Sequence, residues 1–160
     1  MYGLIGNPLS HSFSPLIHKM LTGCDYRLFP LSEEEIPAFL RREDIEGLNV
    51  TIPYKQTVIP FCDALTPEAA RLGSVNTLLF DKDRRLIGHN TDYEGAVTLF
   101  CRAGIDPAGK EAAILGNGGV ARTLRAVLHD LGAERVRTFS RTPFSSIRNR
   151  RYIPCGQVRA

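Results

Sequence analysis

The sequence predicts an α/β protein built in two parts. Three observations carry this. First, short apolar runs such as "YGLIG", "YRLFPL" and "GLNVT" alternate with stretches that begin and end on helix-boundary residues. Second, the composition changes at "IDPAGKE", which reads as a linker. Third, "AAILGNGGVARTLRAVLHDLGAERVRTFSR" runs from strand through glycine turn and amphipathic helix to strand, which is one βαβ unit. The expected division is a mixed α/β domain over 1–103, then a second domain opening at 104 and running to 160.

Along the chain, "YGLIG" is an apolar run closed by glycine and reads as a buried strand. "NPLSHSFSP" is dense in turn formers and reads as a loop. Ser14 before Pro15 predicts a helix with serine at its N-cap, stopping before Gly23. "YRLFPL" is a second strand. In "SEEEIPAFLRRE", Ser32 and Glu35 have capping-box spacing, although Pro37 can push the start later. "GLNVT" is the next strand, and Tyr54 to Phe61 is expected to be helical. Thr66 caps a short helix that Gly73 stops. "VNTLLF" and "RLIGHN" read as a strand pair joined by "DKDR". From Asp92, "DYEGAVTLFCRAG" reads as a helix ending at Gly104.

Bulk properties narrow the classes. The chain has 160 residues, 43% hydrophobic and 23% charged, as expected of a soluble globular protein. No apolar run approaches the roughly 20 residues that cross a bilayer, and "MYGLIGNPLS" lacks a basic segment ahead of its apolar residues, so neither a membrane span nor a signal peptide is expected. Cys24, Cys62, Cys101 and Cys155 lie far apart with no histidine at ligand spacing, which predicts reduced thiols, no metal site and a cytoplasmic location. Residues 135–160 hold seven arginines and no acid. These arginines are not interleaved with aromatic residues, so they do not point to nucleic acid.

The glycine turn carries the first chemical signal. Gly116, Gly118 and Ala121 in "GNGGVA" fit G-x-G-x-x-A, with Gly119 and Val120 between them. The first glycine permits the turn. The second lets the backbone approach a pyrophosphate at the positive end of the following helix. The placement between strand and helix supports a dinucleotide site. The next strand ends in "FSRTP", not in an acid. Ser140, Arg141 and Thr142 supply one fixed positive charge and two hydroxyls, which suits a 2′-phosphate and favours NADP over NAD.

A second constellation lies in the first part. Ser12 and Ser14 flank Phe13 at a helix start, where hydroxyls and backbone N–H groups suit a carboxylate. Asn49 and Thr51 alternate along "LNVTI" and share one strand face. Lys55 follows at the next turn, Asn76 sits in a strand where asparagine is disfavoured, and Asp92 closes "GHNTD". Each has a plain structural explanation, the routine helix cap being the obvious one for Ser14 and Asp92. Together they suit a small, carboxylated, polyhydroxylated ligand.

"GLIGNPLSHSFSPLIH", "GLNVTIPYK", "GSVNTL", "GHNTDYEG" and "LGNGGVART", in this order and spacing, resemble the shikimate dehydrogenase family from Met1 to about Thr142. Lys19 stands where the family commonly has asparagine, and Asn117 is less typical of the glycine loop than a small residue. The resemblance implies an N-terminal substrate-binding domain with a mixed, mostly parallel sheet, then a Rossmann-type NADP-binding domain. It implies reversible reduction of 3-dehydroshikimate to shikimate in aromatic amino acid (chorismate) biosynthesis. By the same resemblance Ser12 and Ser14 bind the carboxylate, Asn49, Thr51, Asn76 and Asp92 hold ring hydroxyls, and Lys55 and Asp92 form the catalytic pair. Which of the two moves the proton stays open, as does a homodimer.

A mononucleotide-binding half needs βαβαβ, and the sequence supplies βαβ. After Pro143 there is no clear helical period and no third strand, so an incomplete Rossmann-type domain is expected. Two alternatives accompany the main reading: a quinate/shikimate dehydrogenase, and a truncated, non-catalytic module that binds shikimate.

Overall fold

The first strand, β1 (Tyr2–Gly6), is the hub of a six-stranded sheet. It pairs in parallel with β2 (Tyr26–Pro30) on one side and β3 (Gly47–Val50) on the other. Next come β5 (Thr77–Phe80) and β6 (Leu86–His89), an antiparallel hairpin whose β5 also runs antiparallel to β3. The two-residue β4 (Ala64–Leu65) closes the far edge in parallel with β6. The order β2-β1-β3-β5-β6-β4 is therefore mixed and mostly parallel. This computed structural model describes residues 1–116 and 118–140.

Side-chain alternation divides the sheet into two faces. Ile5, Leu48, Val50 and Leu78 point to one side, where they join Ile36, Leu40, Ile45, Tyr54, Val58, Ala69 and Val75 in the main core. The helices α2 (Ile36–Leu40) and α3 (Pro67–Leu72) contribute to that layer. The register sets Tyr2, Tyr26, Gly47, Asn49, Thr77 and Leu79 on the other face, since Tyr2 pairs with Tyr26 and Gly47, Gly47 with Leu79, and Asn49 with Thr77. There they border a cavity of about 440 Å³, together with His18 and Thr22 of α1 (Ser14–Thr22).

Contacts divide the chain into Met1–Asn90 and Thr91–Ala160. This lies earlier than the composition break at 103/104, because α4 (Thr91–Arg102) packs on α5 (Gly119–Asp130). The second unit also holds β7 (Glu111–Leu115) and β8 (Arg135–Phe139), paired in parallel in register from Glu111–Arg135 to Leu115–Phe139. Ile114, Ala121, Leu128 and Val136 form its buried cluster. The expected strand–turn–helix–strand unit is thus formed.

Two local expectations need correction. Ser14 is the first residue of α1 and not its N-cap, because Phe13 already has near-helical backbone angles. The Ser14 N–H is instead received by the Ser12 hydroxyl at 3.3 Å. Tyr54–Phe61 is not one helix. It is a run of turns ending in a short 3-10 segment, Ile59–Phe61, where Pro60 lacks the N–H that a continuous α-helix needs. The segment after Ser32 starts as a 3-10 turn, Glu33–Glu35, and becomes α-helical at Ile36, just before Pro37. The Glu35 carboxylate still accepts the Ser32 N–H at 2.7 Å, as a capping box requires. The strand β4 had no sequence signal; two residues are too few for a detectable period.

Candidate substrate edge and nucleotide turn

The topology gathers the polar residues of the first unit on one edge of its sheet. β1 and β3 are parallel, so the loop 7–13 and the segment 51–55 leave from the same end. β5 is antiparallel to β3, so its beginning meets that end, with Asn49 opposite Thr77 and the Val50 N–H bonded to the Asn76 carbonyl at 2.8 Å. Ser12, Ser14, Thr51, Lys55 and Asn76 therefore all follow or precede strands at one edge.

Backbone bonds fix the segments that carry them. The Thr51 N–H reaches the Ile5 carbonyl at 2.9 Å, and the Asn7 N–H reaches the Ile52 carbonyl at 3.0 Å. The Lys55 carbonyl accepts the Val75 N–H at 2.7 Å, which holds the lysine turn beside the approach to β5. Gly6 is required by close packing: a Cβ there would lie 2.4 Å from Thr51 Cγ2 and 2.8 Å from Leu9 Cδ2. Only a residue without a side chain lets the loop after β1 fold against Thr51.

Asn49 and Asn76 are locked into a polar array. The Tyr26 phenol donates to Asn49 Oδ1 at 2.7 Å, Asn49 Nδ2 donates to Thr77 Oγ1 at 3.2 Å, and Thr77 Oγ1 donates to Asn76 Oδ1 at 3.1 Å. Asn76 lies in a bend just before β5, not in the strand as the sequence suggested; it is buried, and its amide oxygen accepts from the Thr77 hydroxyl. Asn49 borders the cavity behind the edge; Ser12, Ser14, Thr51, Lys55 and Asn76 are not among its described lining residues. Sequence reading missed Tyr26 and Thr77, since an aromatic and a threonine in strands read as ordinary β-formers.

Asp92 belongs to the second unit, in the first turn of α4. In that unit Gly116 has φ of +112°, a conformation that favours glycine, and Gly118 is the N-cap of α5. An added Cβ at Gly116 or Gly118 would meet nothing within 4 Å, so the turn is open to a ligand's close approach. Gly119 and Val120 are exposed in the first turn of α5, whereas Ala121 is buried against β7 and β8. Its small side chain therefore serves helix–strand packing, the role expected of the third position in the motif. These residues fit a pyrophosphate at the α5 N-terminus. Ser140 is exposed just after β8. Arg141 and Thr142, the proposed 2′-phosphate contacts, lie outside the described residues.

The chain is similar to known proteins. Residues 4–78 match the model of the shikimate dehydrogenase substrate binding domain. The shikimate dehydrogenase (NADP(+)) of Syntrophomonas wolfei is 45% identical over 144 residues, covering 85% of this chain and 49% of that protein. That of Moorella thermoacetica is 39% identical over 151 residues, covering 89% and 51%. Among solved structures, a shikimate 5-dehydrogenase from Thermus thermophilus in complex with NADP(H) and shikimate is 34% identical, with a TM-score of 0.78 over 89% of this chain and 56% of its own. The chain spans about half the length of the curated relatives it matches. By the sheet of its first unit and by the matched motifs along it, this chain is similar to the shikimate dehydrogenase family, over residues 4–78 to its substrate binding domain.

Proposed function

We propose that this chain supplies the substrate-binding and nucleotide-turn portions of an NADP-dependent oxidoreductase that interconverts 3-dehydroshikimate and shikimate in the aromatic amino acid (chorismate) pathway. The observation that carries this is the gathering of Ser12, Ser14, Thr51, Lys55 and Asn76 at one sheet edge, within the segment that matches the family's substrate-binding domain. NADPH, bound at Gly116, Gly118, Gly119 and Val120 with Ser140, Arg141 and Thr142 toward its 2′-phosphate, supplies the hydride.

The protein's part is binding, orientation and charge. Ser12 and Ser14 receive the carboxylate at the start of α1. Asn49, Thr51, Asn76 and Asp92 take the ring hydroxyls. Reduction of the ketone builds negative charge on its oxygen, and an ammonium group beside it offsets that charge and can deliver a proton. In this reading Lys55 and Asp92 are the catalytic pair. The proposed setting is the cytoplasm.

The test is NADP-dependent oxidation of shikimate by the 160-residue chain and its Lys55→Ala variant. Turnover by the wild type and a loss of roughly 100-fold or more in the variant are expected, the scale of a general acid–base contribution. Equal rates would remove Lys55 from the mechanism. Calorimetric binding of shikimate without turnover or NADPH binding would instead make the chain a non-catalytic binding module.

A further inference from the structure

Tyr26 lies outside every motif that pointed to the site, yet the proposed ligand-binding residues Asn49 and Asn76 connect to it. Its ring stacks on His18 of α1, with centroids 4.0 Å apart and planes 10° from parallel. Its side chain is buried. It also donates to Asn49 Oδ1, and Asn49 passes the connection through Thr77 to Asn76. Four side chains on β2, β3, the start of β5 and the residue before it thus form one continuous hydrogen-bonded line.

The line has a direction. Asn49 accepts with its oxygen and donates with its nitrogen, so its amide can take only one orientation while Tyr26 donates to it. Thr77 then accepts from Asn49, and its own proton goes to Asn76 Oδ1. Asn76 therefore turns its carbonyl toward Thr77 and its NH₂ group, a pure donor, away from it. Without the phenol proton, Asn49 loses the donor that fixes its oxygen toward Tyr26, and the line through Thr77 to Asn76 loses that constraint on its direction. Such chains are mutually polarising, and their members act together.

We propose that Tyr26, with Thr77, is a positioning residue that sets which end of the Asn76 amide a ligand hydroxyl meets. The inference rests on the proposed substrate role of Asn76. Burial raises the Tyr26 phenol above its ordinary range, with Cys24 adding to the effect, so it remains a neutral donor at physiological pH.

Two measurements on the 160-residue chain test it. One is shikimate affinity by calorimetry. The other is the nitrogen-15 spectrum of the Asn49 and Asn76 side-chain amides without ligand. Tyr26→Phe keeps the ring and the His18 stack but removes the proton. It is expected to shift both amide signals while leaving the backbone spectrum of β1 and β3 in place, and to weaken shikimate binding about tenfold, the scale of a lost buried hydrogen bond. Thr77→Val should reproduce the Asn76 shift and the loss, and Thr77→Ser should restore both. A purely structural role would not be rescued by serine through the Asn76 signal. An unshifted Asn76 signal in Tyr26→Phe, or unchanged affinity in a variant whose wild type binds, overturns the inference. Absence of shikimate binding by the wild type counts against the substrate reading, while the amide signals still decide whether the line exists.

Discussion

Single residues set the shape of the substrate edge through two kinds of constraint, space and polarity. Gly6 is the case of space. An alanine there would press on Thr51, Leu9 and the Ile52 carbonyl, which lies 3.1 Å from the added carbon. Gly6→Ala should lower stability by about 2 kcal/mol, the usual scale of overpacking. Urea denaturation measures that cost, and shikimate calorimetry should show weaker binding because Thr51 is displaced. The residues proposed to bind were easier to read from sequence than the one proposed to position them. Ser12, Lys55 and Asn76 stood out because polar groups at strand ends and helix starts are chemically informative. Tyr26 did not, because its role depends on which strands are neighbours, and pairing across 23 residues leaves no local mark.

Elements with strong local signals formed where expected, and those that depend on proline or on long-range pairing did not. Thr66 accepts the Ala69 N–H, and Gly73 closes α3 in the left-handed conformation, as their positions in the sequence indicated. By contrast, apolar spacing over 54–61 suggested a helix that Pro60 interrupts, and β4 exists only because β6 lies beside it. The helix α5 carries a pH-sensitive group of its own. Burial, reinforced by the Arg125 charge and partly opposed by Asp130, holds His129 below its ordinary value of 6.5. Its folded pKa is depressed, so the unfolded chain takes up the proton first as pH falls. Stability should therefore decline from about pH 6.5 downward until the folded histidine also titrates. His129→Gln should flatten that part of the profile, as read by denaturant midpoints at pH 5 to 8 that follow the helical signal.

At the scale of the molecule, the proposed assignments predict that, Asp92 apart, the two ligands act on separate sets of amides, shikimate in Met1–Asn90 and NADPH in the second unit. In hydrogen–deuterium exchange, shikimate should protect residues 7–14, 51–55 and 74–77, and NADPH should protect 116–121. Protection of both sets by shikimate alone would show that the binding chemistry is assigned to the wrong segments. The β7–β8 pair and α5 were legible because the glycine motif and the strand periods agree; the packing of α4 on α5 was not, because no local signal in α4 names its partner. The stacked, buried phenol of Tyr26 has an optical consequence as well. The chain has five tyrosines and no tryptophan, so its near-ultraviolet absorbance is dominated by phenols. In an alkaline titration Tyr26 should resist base beyond the range of an exposed tyrosine, and the colour change it withholds becomes a label-free gauge of whether α1 is still closed over β2.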